Sequence, residues 1–175
     1  MIFKGINQHQ TFTLTTGVDS IVGGAGADTI NAYALNATGA AATTLSAFDS
    51  IDGGAGVDTV NIYVDTTNNG TIAGTFTNVE KFNIDNTTAT AAAAVDGSKF
   101  GAAATSINQI AKAANVTKLA ATTTAAFKGA SLTANLNAGV AAALAADSTT
   151  GSALSVTAAS TAASASISLD GVKGD

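Results

Sequence analysis

Residues 23–31 read GGAGADTIN, and residues 53–61 read GGAGVDTVN. Both fit the nine-residue pattern G-G-x-G-x-D-x-U-x, with U a large apolar residue, which marks a calcium-binding turn leading into a short strand of a parallel β-helix. The residue types explain the pattern. Glycines let the backbone bend tightly and turn carbonyl oxygens toward one point. The aspartate adds a hard carboxylate oxygen, and Ca²⁺ gathers about 6–8 such oxygens. The aliphatic residue two places on, Ile30 or Val60, is expected to point into the core.

Each copy has a degenerate partner nine residues upstream. Gly17-Val18-Asp19-Ser20-Ile21-Val22 precedes the first, and Ala47-Phe48-Asp49-Ser50-Ile51-Asp52 precedes the second. The blocks from Asp19 to Tyr33 and from Asp49 to Tyr63 align over 15 residues at a spacing of 30. Two nonapeptides make one coil, so a regular roll repeats every 18 residues or so. The longer spacing implies an insertion, for which residues 32–43 (AYALNATGAAAT) are the natural candidate.

Composition points the same way. The chain has 175 residues, 46% of them hydrophobic and mostly Ala, with 18 Gly, no Pro and no Cys. That makeup suits thin stacked β layers more than a thick aromatic core. Net charge is −5, and residues 1–65 hold Asp19, Asp28, Asp49, Asp52, Asp58 and Asp65 against Lys4 alone. Nucleic acid needs clustered Lys and Arg, so this balance excludes it as a partner. A solvated acidic surface would account for the charge, but four of the six aspartates fall at the sixth position of a nonapeptide, which favours a divalent cation. No segment is apolar enough to span a bilayer, and residues 1–10 lack the apolar core of a secretory signal.

The expected fold is all-β: a parallel β-roll or β-solenoid with GGxGxD calcium turns, continuing into further short-stranded solenoid or sandwich rungs. Residues 1–65 form the calcium-binding section, and residues 66–175 an Ala/Thr-rich section continuous with it. Strands are expected at residues 10–15, 71–77 and 79–85, with Phe82 and Ile84 on one face. A turn is expected at residues 65–70. Beyond residue 86, short strands recur in rungs of roughly 20 residues, with one helical turn near residues 106–114 and a last strand at 163–169.

The doubled nonapeptide resembles the RTX (repeats-in-toxin) family of secreted bacterial proteins. The order TFTLTTGVDSIVGGAGADTINA, LSAFDSIDGGAGVDTVNI, GTFTNVEKFNI, AAVDGSKF is similar to RTX-type surface-layer proteins and type I secreted adhesins. The resemblance implies a calcium ion between turns stacked on the same side. Asp28 and Asp58 would supply carboxylates, and Gly23, Ala25, Gly26, Gly53, Ala55 and Gly56 backbone carbonyls. Asp19 and Asp49 are further candidates on the opposite edge, and Asp52, standing where the first copy has Val22, could join a site. It also implies secretion to the bacterial cell surface, self-assembly into a lattice or filament, and contact with outer-membrane polysaccharide.

Nothing in the sequence suggests an enzyme. His9 is the single histidine and Glu80 the single glutamate. The function expected is therefore structural, a calcium-bound section of a surface-layer protein. An adhesin segment, or the non-catalytic tail of another type I secreted protein, is the alternative.

Overall fold

The computed structural model describes residues 9–35, 44–64, 72–87, 95–111, 114, 116–120, 122–128, 133–135, 144–145, 153–158 and 166–170. In chain order the strands are β1 (Thr11–Thr13), β2 (Ser20–Val22), β3 (Thr29–Leu35), β4 (Ser50–Asp52), β5 (Thr59–Val64), β6 (Thr75–Thr77), β7 (Lys81–Asp85) and β8 (Val95–Asp96). After a 3-10 turn at Gly97–Lys99 come β9 (Ser106–Ile110), β10 (Val116–Leu119), β11 (Thr124–Lys128), β12 (Thr133–Asn135), β13 (Leu144–Ala145), β14 (Ala153–Ala158) and β15 (Ser166–Asp170).

The roll alternates. One sheet runs β1-β3-β5-β7-β9-β11-β15, and the strands between these in sequence form two further sheets, β2-β4-β6 and β13-β12-β14-β10-β8. Pairing is parallel except between β12 and β13. Up to β11 each coil gives one strand to each face, so parallel neighbours are joined through the opposite face; between β11 and β15 the strands β12, β13 and β14 all belong to one sheet. Register down the long sheet is Thr11, Thr29, Thr59, Lys81, Ser106, Thr124, Ser166. The first coil has the plain 18-residue spacing, and the second carries the expected insertion. That insertion begins later than residue 32, because Ala32 and Tyr33 continue β3 opposite Ile62 and Tyr63. The sheet runs unbroken past residue 65, since β5 pairs with β7.

Alternation decides what is buried. Ile30, Val60, Phe82, Ile107 and Ala125 occupy one inward column, all essentially inaccessible. Beside it run Ala32, Ile62, Ile84 and then Gln109. The buried Gln109 amide is satisfied by Ala114, whose carbonyl accepts from Nε2 (2.9 Å) and whose N–H donates to Oε1 (2.8 Å). The outward column Asn31, Asn61, Asn83, Asn108 is a hydrogen-bonded ladder, each Nδ2 donating to the Oδ1 of the coil before at 3.0, 2.9 and 3.4 Å. Tyr33 and Tyr63 stack beside it, with ring centroids 5.2 Å apart.

Two expectations need correction. Residues 106–110 are strand and not a helical turn, because Ser-Ile-Asn-Gln-Ile places Ile107 and Gln109 inward between β7 and β11; tertiary pairing overrides the helix preference of the alanines that follow. Nor is the core wholly thin and aliphatic. Phe76, Phe82 and Phe100 pack together with centroids 4.7–6.2 Å apart. Strands expected at 71–77 and 79–85 are shorter, as β6 and β7; of the last expected strand, residues 163–165 lie outside the described residues and Ser166–Asp170 is strand. The turn expected at residues 65–70 lies outside the described residues.

Candidate metal centre

The edge between the β2-β4-β6 sheet and the long sheet is built from three turns: residues 23–28, 53–58 and 78–80. The first two are the GGxGxD turns. The third has three residues, Asn78-Val79-Glu80. Register stacks them, because Val22 pairs with Asp52 and Asp52 with Thr77 on one side, while Thr29, Thr59 and Lys81 align on the other.

Asp28 and Asp58 are both buried, at 1% and 0% exposure. Each accepts a backbone N–H from the coil before: Gln10 N–H donates to Asp28 Oδ1 (2.7 Å) and Asp28 N–H to Asp58 Oδ1 (2.6 Å). Glu80 extends the column, accepting from Asp58 N–H at 2.8 Å. Acids from three consecutive coils therefore stand one above another. Charge-assisted bonds of this kind are roughly twice as strong as neutral ones.

The glycines permit close approach. A methyl group at Gly23 would collide with the Gly53 carbonyl oxygen and lie 2.6 Å from Asp28 Oδ2. At Gly53 it would collide with the Asn78 carbonyl oxygen and lie 2.5 Å from Asp58 Oδ2. In each turn, then, a carboxylate oxygen and the next coil's carbonyl converge over a bare Cα. Gly54 and Gly56 also adopt φ of 94° and 133°, where a side chain is strained. Ala55 N–H donates to the Gly24 carbonyl (2.9 Å) and zips the turns together.

Asp58 Oδ2 is the buried side-chain oxygen without a hydrogen-bond partner among the described residues. Burial pushes the Asp58 carboxyl above its ordinary range; the Asp28 N–H works against this, and the nearby charges of Glu80, Asp28 and Asp52 add to it. A buried anionic oxygen crowded by other anions is a site for a cation. The donors are hard oxygens, which fit calcium. Among the described residues no three His, Cys, Asp or Glu side chains converge, so any ion here would draw on backbone carbonyls as well as carboxylates. Gly23, Gly26, Gly53 and Gly56 lie in these stacked turns, while Ala25 and Ala55 sit at the exposed bends.

Asp19 and Asp49 occupy the opposite edge and close turns there. Asp19 accepts from Thr15 N–H (2.8 Å) and the Thr15 hydroxyl. Asp49, buried at 1%, accepts from Asp19 N–H (2.9 Å) and Ser46 N–H (2.6 Å). Asp52 is half-buried, and its Oδ1 accepts from Gly54 N–H (3.1 Å) and Asn78 Nδ2 (2.9 Å). Glu80 and Asn78 are the residues that sequence reasoning passed over. A signal was present: Asp28-Thr-Ile-Asn, Asp58-Thr-Val-Asn and Glu80-Lys-Phe-Asn share the order acid, polar, apolar, Asn.

The family model for the RTX calcium-binding nonapeptide repeat, in four copies, matches residues 13–34 and 44–61. These segments contain the GGxGxD turns and their upstream partners. No curated protein and no solved structure matches the chain. RTX nonapeptide repeats bind calcium.

Proposed function

We propose that this chain is a structural, non-catalytic calcium-binding section of an extracellular bacterial surface-layer protein that assembles with copies of itself. The observation that carries the reading is the stack of nonapeptide turns, with buried carboxylates of Asp28 and Asp58 held one coil apart. Asp28, Asp58 and the carbonyls of residues 23–26 and 53–56 are the ligand-bearing segments; Asp52 belongs to the same edge, and Asp19 and Asp49 to the other.

Calcium then acts as an assembly signal. Without it, stacked acids repel; with it, adjacent turns are fixed. Modules of extracellular type bind with Kd of about 10⁻⁴–10⁻³ M, so folding would follow export into a calcium-rich medium. Val18 and Phe48, 72% and 79% exposed at equivalent positions of the opposite edge, are surface that an assembly could cover. The surface-layer assignment draws on the order of the repeat segments described above. Electron microscopy after adding calcium tests it. Ordered sheets or filaments support the assembly role, whereas persistent monomers favour an adhesin segment or a non-catalytic tail.

A further inference from the structure

We propose that the two GGxGxD turns are unequal, and that the stronger cation site lies between turn 53–58 and the short turn 78–80, formed by Asp58 Oδ2 and the Asn78 carbonyl oxygen with Glu80 as a second negative charge. This rests on the reading that the edge binds calcium, and moves the principal site one coil beyond the space between the two motif turns.

The difference lies in one backbone N–H. In the first turn Gly24 N–H donates to Asp28 Oδ2 at 2.7 Å, and Gln10 N–H holds Oδ1, so both oxygens are satisfied by protein. In the second turn the equivalent Gly54 N–H is drawn to Asp52 Oδ1. Asp52 stands where the first coil has Val22, and Asn78 Nδ2 holds the same Asp52 oxygen. Asp58 Oδ2 is left bare and fully buried. An unsatisfied buried carboxylate oxygen is costly until an opposite charge or donor reaches it.

The surroundings select a cation over a hydrogen-bond donor. Glu80 abuts Asp58 through the Asp58 N–H. The ion pair of the described residues, Lys118 with Asp96, involves none of these acids. The Asn78 carbonyl faces the same glycine Cα as Asp58 Oδ2, and Asn78 holds φ of 49°, an unusual backbone for a non-glycine residue. Hard oxygens, excess negative charge and, among the described residues, no cationic side chain paired with these acids match Ca²⁺, with water completing its shell.

Calorimetric titration of calcium into the chelator-treated full chain tests this. Asp52→Val gives the second turn the residue of the first and returns Gly54 N–H to Asp58 Oδ2; affinity is expected to fall roughly ten-fold, or about 1.4 kcal/mol. Glu80→Gln keeps an acceptor for Asp58 N–H but removes the charge, and is expected to weaken binding by roughly three- to ten-fold. The converse change, Val22→Asp at an exposed position, is expected to free Asp28 Oδ2 and increase the calcium bound per chain. Wild-type affinity in both Asp52→Val and Glu80→Gln, or unchanged stoichiometry in Val22→Asp, overturns the inequality while leaving calcium binding intact. No calcium uptake by the unmodified chain overturns the underlying reading itself.

Discussion

The coils before residue 65 and those after residue 78 are stacked by the same parallel register but closed by different chemistry. The earlier coils bend through six-residue turns that bury carboxylates and leave charge to be neutralised. The later ones bend through short turns or a 3-10 turn, and bury Phe82, Phe100 and the self-satisfied Gln109. On the proposed reading the first region needs an ion in addition to the apolar area that Ile30, Ile51, Val60 and Ile62 bury, whereas the second is held by area removed from water. Phe76 of β6 and Phe82 of β7 join them, since Phe76 pairs with Ile51 and Phe82 with Val60. A roll made this way can keep a folded platform on which the calcium-dependent coils order.

The largest test of that division is Phe82→Ala. The ring is fully buried among Phe76 and Phe100, and its loss is expected to cost about 3–5 kcal/mol. The loss should be equal in calcium and in chelator by chemical denaturation. A cost seen only with calcium would mean that the two regions are not separately held.

Gly53→Ala sharpens the other side. The added methyl meets the Asn78 carbonyl and Asp58 Oδ2, an overpacking expected to cost about 1–3 kcal/mol. Unlike Phe82→Ala, it should remove the calcium-dependent part of stability as well, so that melting with and without chelator coincides.

Acid gives a smaller effect of distinctive sign. The Asp58 carboxyl is raised above 3.8 in the folded chain, first by burial. Its protonated form is therefore favoured by folding, and that contribution is present below pH 3.8 and lost as pH rises through the raised value. In chelator, melting temperature should increase on going from neutral to mildly acidic pH, and Asp58→Asn should flatten the trend. A decrease, with Asp58→Asn indistinguishable from wild type, would contradict the placement of Asp58.

The smallest effect belongs to the later coils. Asp96 is held at about 2, below its usual 3.8, by hydrogen bonds from Lys118 first and Ser98 second. The benefit is present above pH 3.8 and fades as pH falls toward 2. Lys118 is largely exposed, so Lys118→Ala should cost no more than about 1 kcal/mol at neutral pH, with no dependence on calcium.

Much of this was legible in the sequence where chemistry repeats. Glycine pairs and the aspartates at a spacing of 30 located the stacked turns, and alternation placed Ile30, Val60, Phe82 and Ile84 inward. What escaped was set by register between coils. Glu80 ends a three-residue turn with no glycine, and the pairing of Lys81 with Thr59 is what puts it above Asp58. The asparagine ladder has no constant period, because its members are 30, 22 and 25 residues apart. Residues 106–110 misled for the opposite reason, since neighbouring alanines favour helix locally while both flanking strands demand β.

The central claim is that a cation between stacked turns holds the early coils. Amide hydrogen exchange on the full chain, compared in calcium and in chelator, tests it most directly. The account predicts that protection at Ile30, Ile51 and Val60 falls at least ten-fold in chelator while Ile84 and Ile107 keep theirs. Equal protection at all five in both buffers would contradict it.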